Sequence, residues 1–207
     1  DNLIRHGELV FNPGERVEGY TNFLWTVAMA GVIGLGLDPA TWSRIISVAL
    51  GILTLFLAMS FMSKTRQKST IGNVLPAALL AASPSYACWA TGGLETQLFT
   101  TLSTLALIDY TRGSLGDSKA LLRSGFWFSL ASMTRPEGML LLGLVALYHM
   151  GTMVLERRIR PSGLELKWAA VFLVFFVPFF AWRWSYYGWP FPNTYYVKTG
   201  ATGFWRP

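Results

Sequence analysis

Cysteine, histidine and charged residues are all scarce in this chain of 207 residues. Because Cys88 is the one cysteine, the sequence excludes an internal disulfide and a cysteine-based zinc site. His6 and His149 lie far apart along the chain, which excludes a metal motif built on closely spaced histidines. Charged residues make up 14% of the sequence, whereas a typical soluble domain has about 25%.

Hydrophobic residues, by contrast, make up 52% of the chain, and nine Trp and eight Tyr are among the aromatic residues. Trp and Tyr collect at membrane interfaces, so this composition favours a membrane protein. The net charge of +6 does not indicate a nucleic-acid-binding domain, because the basic residues fall in short clusters between apolar runs. The sequence has no Walker loop, dinucleotide fingerprint, HExxH motif or serine-nucleophile elbow.

Long apolar runs predict an all-α membrane protein, since a spanning helix needs about 20 largely apolar residues. Residues 22–37 are apolar but short and rich in glycine, so we place them along the outer membrane interface. Residues 121–134 are too short to cross alone, and a break at TRPEG separates them from the next apolar run. The predicted spans are 44–62, 71–90, 94–110, 136–155 and 168–187.

Basic residues indicate which loops face the cytoplasm, where Lys and Arg collect. The predicted crossings between the first and second basic clusters are 71–90 and 94–110. Between the second and third clusters, the two crossings are 121–134 and 136–155. An even number of crossings lets all three loops lie on the cytoplasmic side. The clusters are Lys64, Arg66 and Lys68; Arg112, Lys119 and Arg123; and Arg157, Arg158, Arg160 and Lys167.

Four polar stretches then fall on the outer side, each at the end of an apolar segment. Backbone N–H groups at helix starts are free to bind anions, so we expect the stretches to converge on a polar outer cavity. They are the residues before 44, the loop at 90–96, TRPEG at 134–138 and the residues from 186 onward.

The segment RVEGYTN at 16–22 has charge, hydroxyl and amide groups that a plain membrane anchor does not need. Glu18, Tyr20 and Asn22 are therefore candidates for contact with a substrate. The alternative is structural, with Glu18 as a surface charge and Asn22 or Thr21 as the cap of the next helix.

Glu95 and TRPEG supply the next candidates. Glu95 lies in the first turn of an apolar helix, where an acid either serves a site or simply stabilises the helix dipole by about 0.3–1 kcal/mol. Thr134 and Glu137 have the spacing of a capping box, which favours a structural role for Glu137. A cap does not need Arg135, and arginine at membrane depth requires a partner or a wet cavity. We predict that Arg135 binds an anion such as phosphate.

A polar and aromatic group follows the last predicted span. Its members either form an interfacial belt with a snorkelling lysine or hydrogen-bond a sugar and its phosphate. They are Asn193, Tyr195, Tyr196 and Lys198.

Two further features are interpreted as structural. Arg44 and Arg183 lie near predicted outer helix ends and are assigned as interface anchors. The stripe of apolar residues at 172–180 is assigned to lipid contact or packing, with no functional role.

Four motifs cover nearly the whole chain in a characteristic order: GELVFNPGERVEGYTNFLW, TGGLETQLF, TRPEG and YYGWPFPNTYYVKTG. In this order they resemble the bacterial GT-C membrane glycosyltransferases, nearest the arabinofuranosyltransferase-like branch that uses polyprenyl-phosphate sugars. The first and last motifs are the specific ones.

The resemblance implies inverting transfer of a sugar from a polyprenyl phosphate to a cell-envelope glycan or lipid, at the outer, periplasmic face of the inner membrane. It implies that Arg135 and Lys198 lie near the phosphate. It also implies an acidic general base early in the first outer loop, which we expect upstream of Asp1, with Glu18 and Glu95 as alternatives. We therefore expect the 207-residue chain to be inactive alone. No cofactor is implied with certainty, and assistance by a divalent metal stays open.

The chain is accordingly predicted to be part of one GT-C-type domain: an outer loop with an interfacial helix (1–43), transmembrane helices (44–187) and a second outer loop (188–207), with further sequence at both ends. Two other functions stay open. A flippase or transporter for a lipid-linked sugar should have inverted repeats and broken helices, and no internal repeat is visible. A non-catalytic membrane assembly protein would not need Arg135.

Overall fold

The computed structural model describes the backbone of residues 1–65, 70–158 and 160–199, and the side chains of residues 1–62, 71–158 and 160–197. The regular structure within these residues is entirely helical, without a strand. The helices are α1 (Asn2–His6), α2 (Phe23–Gly34), α3 (Pro39–Thr65), α4 (Thr70–Ala81), α5 (Pro84–Thr91), α6 (Thr96–Ser114), α7 (Ser118–Thr134), α8 (Glu137–Leu155), α9 (Gly163–Tyr187) and α10 (Asn193–Thr199).

Three helices are long and apolar enough to cross a membrane, as predicted for an all-α membrane protein. They are the Pro39–Met62 part of α3, together with α8 and α9. α3 begins inside the predicted outer loop 1–43, because the Oδ2 atom of Asp38 accepts a hydrogen bond from the Thr41 N–H at 2.8 Å and caps the helix there. The first of these helices therefore starts earlier than the sequence predicted.

The predicted span 71–90 is not one continuous helix. It is divided into α4 and α5, whose axes differ by 66°. Pro84 has no N–H to continue a helix, and it holds Ser83 in an extended conformation with φ −72° and ψ 119°. The predicted span 71–90 is therefore broken at Ser83 and Pro84. The pair still passes as one bent crossing, which gives three or up to four crossings in the described part of the chain.

The two long helices that are least apolar, α6 and α7, lie inside the bundle. α6 covers the predicted span 94–110 but is not apolar enough to count among the spanning helices. Its polar residues face other helices rather than lipid, and Gln97 and Thr101 are almost fully buried. α7 has ten of its 17 residues buried, whereas the apolar windows of α8 and α9 are each only 11% buried. The more apolar helices thus shield the more polar ones.

A polar seam joins α3 to α6. The Ser47 hydroxyl donates to the carbonyl oxygen of Leu94 at 3.2 Å, and the hydroxyls of Thr54 and Thr101 lie 2.8 Å apart. Both contacts pair residues 47 positions apart, so the two helices run parallel and in register. The start of α6, where Glu95 lies, is therefore held beside Ser47, about two turns into α3.

A sharp turn at Arg135 and Pro136 brings the start of α8 against the end of α7. A Cβ atom added at Gly138 would lie 2.5 Å from the backbone nitrogen of Ser132, so the approach requires glycine. The turn places the end of α7 and the start of α8 at the same end of the bundle as the start of α6.

The predicted capping box between Thr134 and Glu137 is wrong. Thr134 is buried as the last residue of α7, and its hydroxyl donates to the carbonyl oxygen of Leu130 at 2.8 Å. Glu137 instead accepts a hydrogen bond from Arg135 at 2.9 Å. Helix geometry explains the error, because α7 continues to Thr134 and leaves its side chain facing backward along α7.

The second and third predicted basic clusters lie at the opposite end of the bundle. There, the Tyr110 hydroxyl lies 3.0 Å from His149 Nδ1, and His149 Nε2 lies 3.0 Å from Glu165 Oε1. These contacts join the last turns of α6 and α8 to the first turn of α9, in agreement with two basic loops on one side. The side chains of the first cluster, Lys64, Arg66 and Lys68, lie outside the described residues.

Short helices cover the end of the bundle that holds Glu95. α2, within the predicted interfacial segment 22–37, is about 18 Å long and too short to span a bilayer. Phe23 of α2 packs on Phe179 of α9, with ring centroids 4.7 Å apart. α10 forms a short helix where the sequence indicated only an outer loop.

Candidate functional site

Five element ends meet at one end of the bundle: the starts of α2, α6 and α8 and the ends of α7 and α9. Three of the residues predicted to contact substrate touch one another there. Asn22 Nδ2 donates to Glu95 Oε2 at 3.0 Å, and Arg135 Nη1 lies 3.7 Å from Glu95 Oε1. The structure thus joins three of the four polar stretches, which are far apart in the sequence.

Arg135 lies between two carboxylates. Besides its contact with Glu95, its Nη2 donates to Glu137 Oε1 at 2.9 Å, and its guanidinium lies 5.9 Å from the ring centroid of Phe99. The Arg135 side chain is 32% exposed and that of Glu95 is 17% exposed. Arg135 is therefore reachable from solvent, but its charge is already shared by two acids.

A second ion pair is almost fully buried nearby. Arg183 Nε donates to both carboxylate oxygens of Glu18, at 2.7 and 2.8 Å, and Arg183 Nη1 donates to the carbonyl oxygen of Pro190 at 2.9 Å. Glu18 is 5% exposed and Arg183 is 7% exposed. The structural interpretation of Glu18 as a solvent-exposed surface charge is therefore wrong.

The Nη2 atom of Arg183 is buried and has no hydrogen-bond partner within the described residues. A buried donor without an acceptor costs about 1–3 kcal/mol, and more on a charged group. Guanidinium nitrogens bind carboxylate and phosphate oxygens well. The Nη2 group of Arg183 is therefore chemically suited to bind an anion.

Arg183 and Glu18 line a cavity of about 360 Å³. Its wall is mainly apolar, and three phenylalanines of α9 form one side of it. The cavity lies between α9, the turn from α7 to α8, and the loop after α9. Further lining residues are Thr21, Phe23, Ser132, Met133, Pro136, Met139, Phe176, Phe179, Phe180, Pro190, Phe191 and Pro192.

Tyr20 belongs to a separate hydrogen-bonded chain. The Tyr187 hydroxyl donates to the carbonyl oxygen of Leu9, so the Tyr20 hydroxyl, 2.7 Å away, donates to Tyr187. Burial raises the pKa of Tyr20 above its ordinary value, and the hydrogen bond with Tyr187 adds to the shift. This use of the hydroxyl supports a role for Tyr20 in holding the first loop to the end of α9.

The predicted residues after the last span form their own cluster on α10. Asn193 is exposed at the start of that helix, and Tyr195 packs on Phe191 with ring centroids 4.8 Å apart. Tyr196 packs on Trp189 at 5.4 Å. Phe191 also lines the cavity, so this cluster adjoins it without contributing its predicted polar groups to the lining. The side chain of Lys198 lies outside the described residues.

Arg183 and the phenylalanines of α9 are the features that sequence reasoning missed. Arg183 was assigned as an interface anchor, and the stripe at 172–180 was assigned no role. Their spacing carried a signal, because Phe176, Phe179 or Phe180, and Arg183 recur at three- and four-residue intervals and so share one helix face.

The described residues contain no group of three or more His, Cys, Asp or Glu side chains that could hold a metal ion. Glu95 and Glu137 both contact Arg135, whose guanidinium lies between their carboxylates. A cation in that position already occupies the place of a metal, so these residues do not fit the divalent ion that the sequence left open.

Comparison with protein-family models, with curated proteins and with solved structures found no match. The likeness to GT-C glycosyltransferases therefore depends on the four sequence motifs alone.

Proposed function

We propose that this chain belongs to an inverting, GT-C-type membrane glycosyltransferase that takes its sugar from a polyprenyl phosphate. The observation that carries the proposal is that Arg183 lines an apolar cavity and has a buried Nη2 without a hydrogen-bond partner among the described residues. A polyprenyl phosphate has both an apolar chain and an anionic head, and this cavity offers a surface for each.

The size and lining of the cavity support such a ligand. Its volume of about 360 Å³ lies within the range of about 300–1,000 Å³ found for small-molecule sites. Phe176, Phe179 and Phe180 offer an apolar wall to the first isoprene units. Arg183 offers a cation to the phosphate, and neutralisation by Glu18 keeps that cation stable when the site is empty.

This geometry changes the roles that the resemblance implied. Arg183 takes the place of Arg135 as the main phosphate ligand, because Arg135 is already shared between two acids. Glu18 positions Arg183 and is a poor general base, because both of its oxygens accept hydrogen bonds from Arg183. Among the two alternatives within the chain, Glu95 is the better base, since it is partly exposed and oriented by Asn22.

The proposed reaction is a single displacement at the anomeric carbon. The acceptor hydroxyl oxygen forms a bond to that carbon as the bond between the carbon and the phosphate oxygen breaks. The bonding electron pair leaves with the phosphate, where Arg183 stabilises the added charge. A carboxylate takes the proton of the acceptor hydroxyl, and the sugar configuration inverts.

Binding of the lipid tests the site first. The purified chain is titrated with undecaprenyl phosphate and, as the neutral control ligand, with undecaprenol. The double variant Glu18→Gln/Arg183→Gln removes the cation without leaving a buried charge. We expect its affinity for the phosphate to fall by about tenfold to a hundredfold, the value of a hydrogen bond to a charged group. Its affinity for undecaprenol should not change.

The matched control is Arg16→Gln. Arg16 is exposed at the same end of the bundle, where its guanidinium lies 5.2 Å from the ring centroid of Tyr186, and it does not line the cavity. This variant loses one arginine cation outside the cavity and should bind undecaprenyl phosphate as wild type does. Equal affinity of the wild type for the phosphate and the alcohol would contradict the proposed site.

Transfer itself is tested with the complete gene product in membranes. Polyprenyl-phosphate arabinofuranose labelled with ¹³C serves as the donor, and NMR of the glycan product gives its anomeric configuration. We expect transfer with inversion at the outer face of the inner membrane. Retained configuration, or incorporation no greater than in membranes without the gene, would refute the mechanism.

One observation favours the alternative of transport. The 66° bend between α4 and α5 is a broken helix, a feature of transporters with binding sites at mid-membrane. The two functions are separated in vesicles loaded with the lipid-linked sugar. A transporter moves the lipid between leaflets without forming a glycan product, and a transferase forms the product without that movement.

A further inference from the structure

The end of α8 has an unusual cap. The Arg157 N–H donates to the carbonyl oxygen of Val154 and the Arg158 N–H to that of Met153, both at 2.9 Å. This pair of bonds is a Schellman motif, which requires a left-handed residue at its centre. Arg157 is that residue, with φ 56°, and it is the one non-glycine residue with positive φ in the described part of the chain.

Glycine is the residue favoured at such a position, because a Cβ atom is strained there. Residues held in this way tend to occur where a side chain is needed for function. The presence of arginine therefore suggests that its side chain does something that glycine cannot do.

The charges around Arg157 leave it free. The neighbouring Arg158 is paired, since its Nε donates to Glu156 at 2.8 Å and its Nη2 to Glu165 at 2.9 Å. Arg157 makes no ion pair or side-chain hydrogen bond with any residue that the structure describes. It is exposed, so its guanidinium is available to an external anion.

Arg157 also forms one edge of an apolar groove along the last two turns of α8. Met150, Met153 and Val154 line the groove with Arg157 and Arg158, and its volume is about 430 Å³. Met150 is 60% exposed and Val154 is 73% exposed. The three apolar residues share one helix face through their spacing of three and four.

We propose that this groove binds an anionic phospholipid of the bilayer, with the phosphodiester on Arg157 and an acyl chain along Met150 and Met153. Charge complementarity selects the head group, because Arg157 is the cation of the groove that has no ion-pair partner among the described residues. The apolar wall lies on a helix that is long and apolar enough to cross a membrane. The acyl chain of a bilayer phospholipid can therefore lie along the groove while its head group contacts Arg157. A soluble phosphate would leave the apolar groove unfilled.

This site lies at the opposite end of the bundle from the Arg183 cavity. α8 begins at the turn near Arg183 and runs for about 28 Å to Leu155, two residues before Arg157. The inference therefore does not depend on glycosyl transfer, and either proposal can fail alone.

The test counts lipids bound to the purified chain by native mass spectrometry. The probes are dioleoylphosphatidylglycerol, dioleoylphosphatidylcholine and, as a soluble head group, sn-glycerol 3-phosphate. Arg157→Gly is the decisive variant, because glycine suits the left-handed position and the fold is retained. Arg160→Gly is the matched control, since Arg160 is an exposed arginine of the same loop that does not line the groove.

We expect the wild type to bind phosphatidylglycerol in preference to phosphatidylcholine. Arg157→Gly should weaken phosphatidylglycerol binding about fivefold or more, in line with the loss of one arginine at a membrane surface. Arg160→Gly should weaken it less than about twofold, because its charge acts only at a distance. Glycerol 3-phosphate should not displace the lipid.

Three results would overturn the proposal. Wild-type affinity in Arg157→Gly would show that the guanidinium does not bind the head group. Equal losses in Arg157→Gly and Arg160→Gly would show attraction by net charge rather than a site. Displacement of the lipid by glycerol 3-phosphate would show a small-anion site without a role for the apolar groove.

Discussion

Arg183 and Glu18 form a buried ion pair across 165 residues of sequence, with Nε of the arginine within 2.8 Å of both carboxylate oxygens. This pair ties the loop before α2 to the end of α9. It also leaves Nη2 of Arg183, a residue that lines an apolar cavity, without a hydrogen-bond partner among the described residues. One contact thus links the stability of this end of the bundle to its candidate ligand site.

Removal of one member of this pair should be strongly destabilising. Arg183→Met leaves the Glu18 carboxylate buried and uncompensated, and we expect the free energy of unfolding to fall by about 3–5 kcal/mol. Equilibrium unfolding of the detergent-solubilised protein with increasing denaturant concentration measures this change in free energy. Glu18→Leu/Arg183→Met removes both charges and should recover most of the loss. A double variant as unstable as the single one would show that the pair itself stabilises the fold.

The turn between α7 and α8 should not tolerate a larger residue at position 138. In Gly138→Ala the added Cβ would lie 2.5 Å from the Ser132 nitrogen, and backbone cannot move aside as a flexible side chain can. We expect a loss of about 1–3 kcal/mol in unfolding free energy, typical of overpacking. Thermal unfolding of the purified chain measures it.

Gly143→Ala in the same helix is the control for this prediction. A Cβ atom at Gly143 meets nothing within 4 Å, and alanine favours a helix over glycine by about 1 kcal/mol. Gly143→Ala should therefore be neutral or stabilising. Equal effects of the two substitutions would contradict the close approach at Gly138.

Asn22 should influence transfer through Glu95. Asn22→Ala removes the 3.0 Å hydrogen bond to Glu95 Oε2, and we expect kcat of the gene product to fall about fivefold to thirtyfold, the effect of losing about 1–2 kcal/mol. Asn22→Asp places a second carboxylate against Glu95 and should reduce kcat further. Asn12→Ala, in the exposed part of the same loop, should leave kcat unchanged. Unchanged rates in both Asn22 variants would exclude Glu95 from the reaction.

Stability should fall at high pH partly because of Tyr20. Burial raises the pKa of its hydroxyl above the usual value of 10.0, so folded Tyr20 keeps its proton where the unfolded chain loses it. The contribution is fully present below about pH 10 and is lost as the pH rises above that value. Melting temperatures measured from neutral pH upward should fall less steeply for Tyr20→Phe than for wild type. Parallel curves would show that Tyr20 does not contribute.

The sequence predicted best those helices that lipid surrounds. α3, α8 and α9 are long and apolar enough to cross a membrane, so hydropathy alone located them. α6 lies inside the bundle, where Gln97 and Thr101 have protein partners, and hydropathy therefore describes it poorly. The break at Pro84 was overlooked because the residues on both sides of it are apolar enough for one span.

The sequence also predicted part of the candidate site. The number of crossings was enough to bring Asn22, Glu95 and Arg135 to one end of the bundle, where the structure has them in contact. The partner of Arg183 could not be identified in this way. An arginine near a helix end resembles an interface anchor until the chain folds and places Glu18 beside it.

The polar seam between α3 and α6 has a consequence for how the protein is synthesised. α6 carries buried Gln97 and Thr101, and polar side chains that face lipid are costly during insertion by the translocon. α3 emerges earlier and presents Thr54, whose hydroxyl bonds to Thr101. We expect α6 to insert beside α3 while α3 remains near the translocon, so assembly of this bundle should begin before the more deeply buried α7 has left the ribosome.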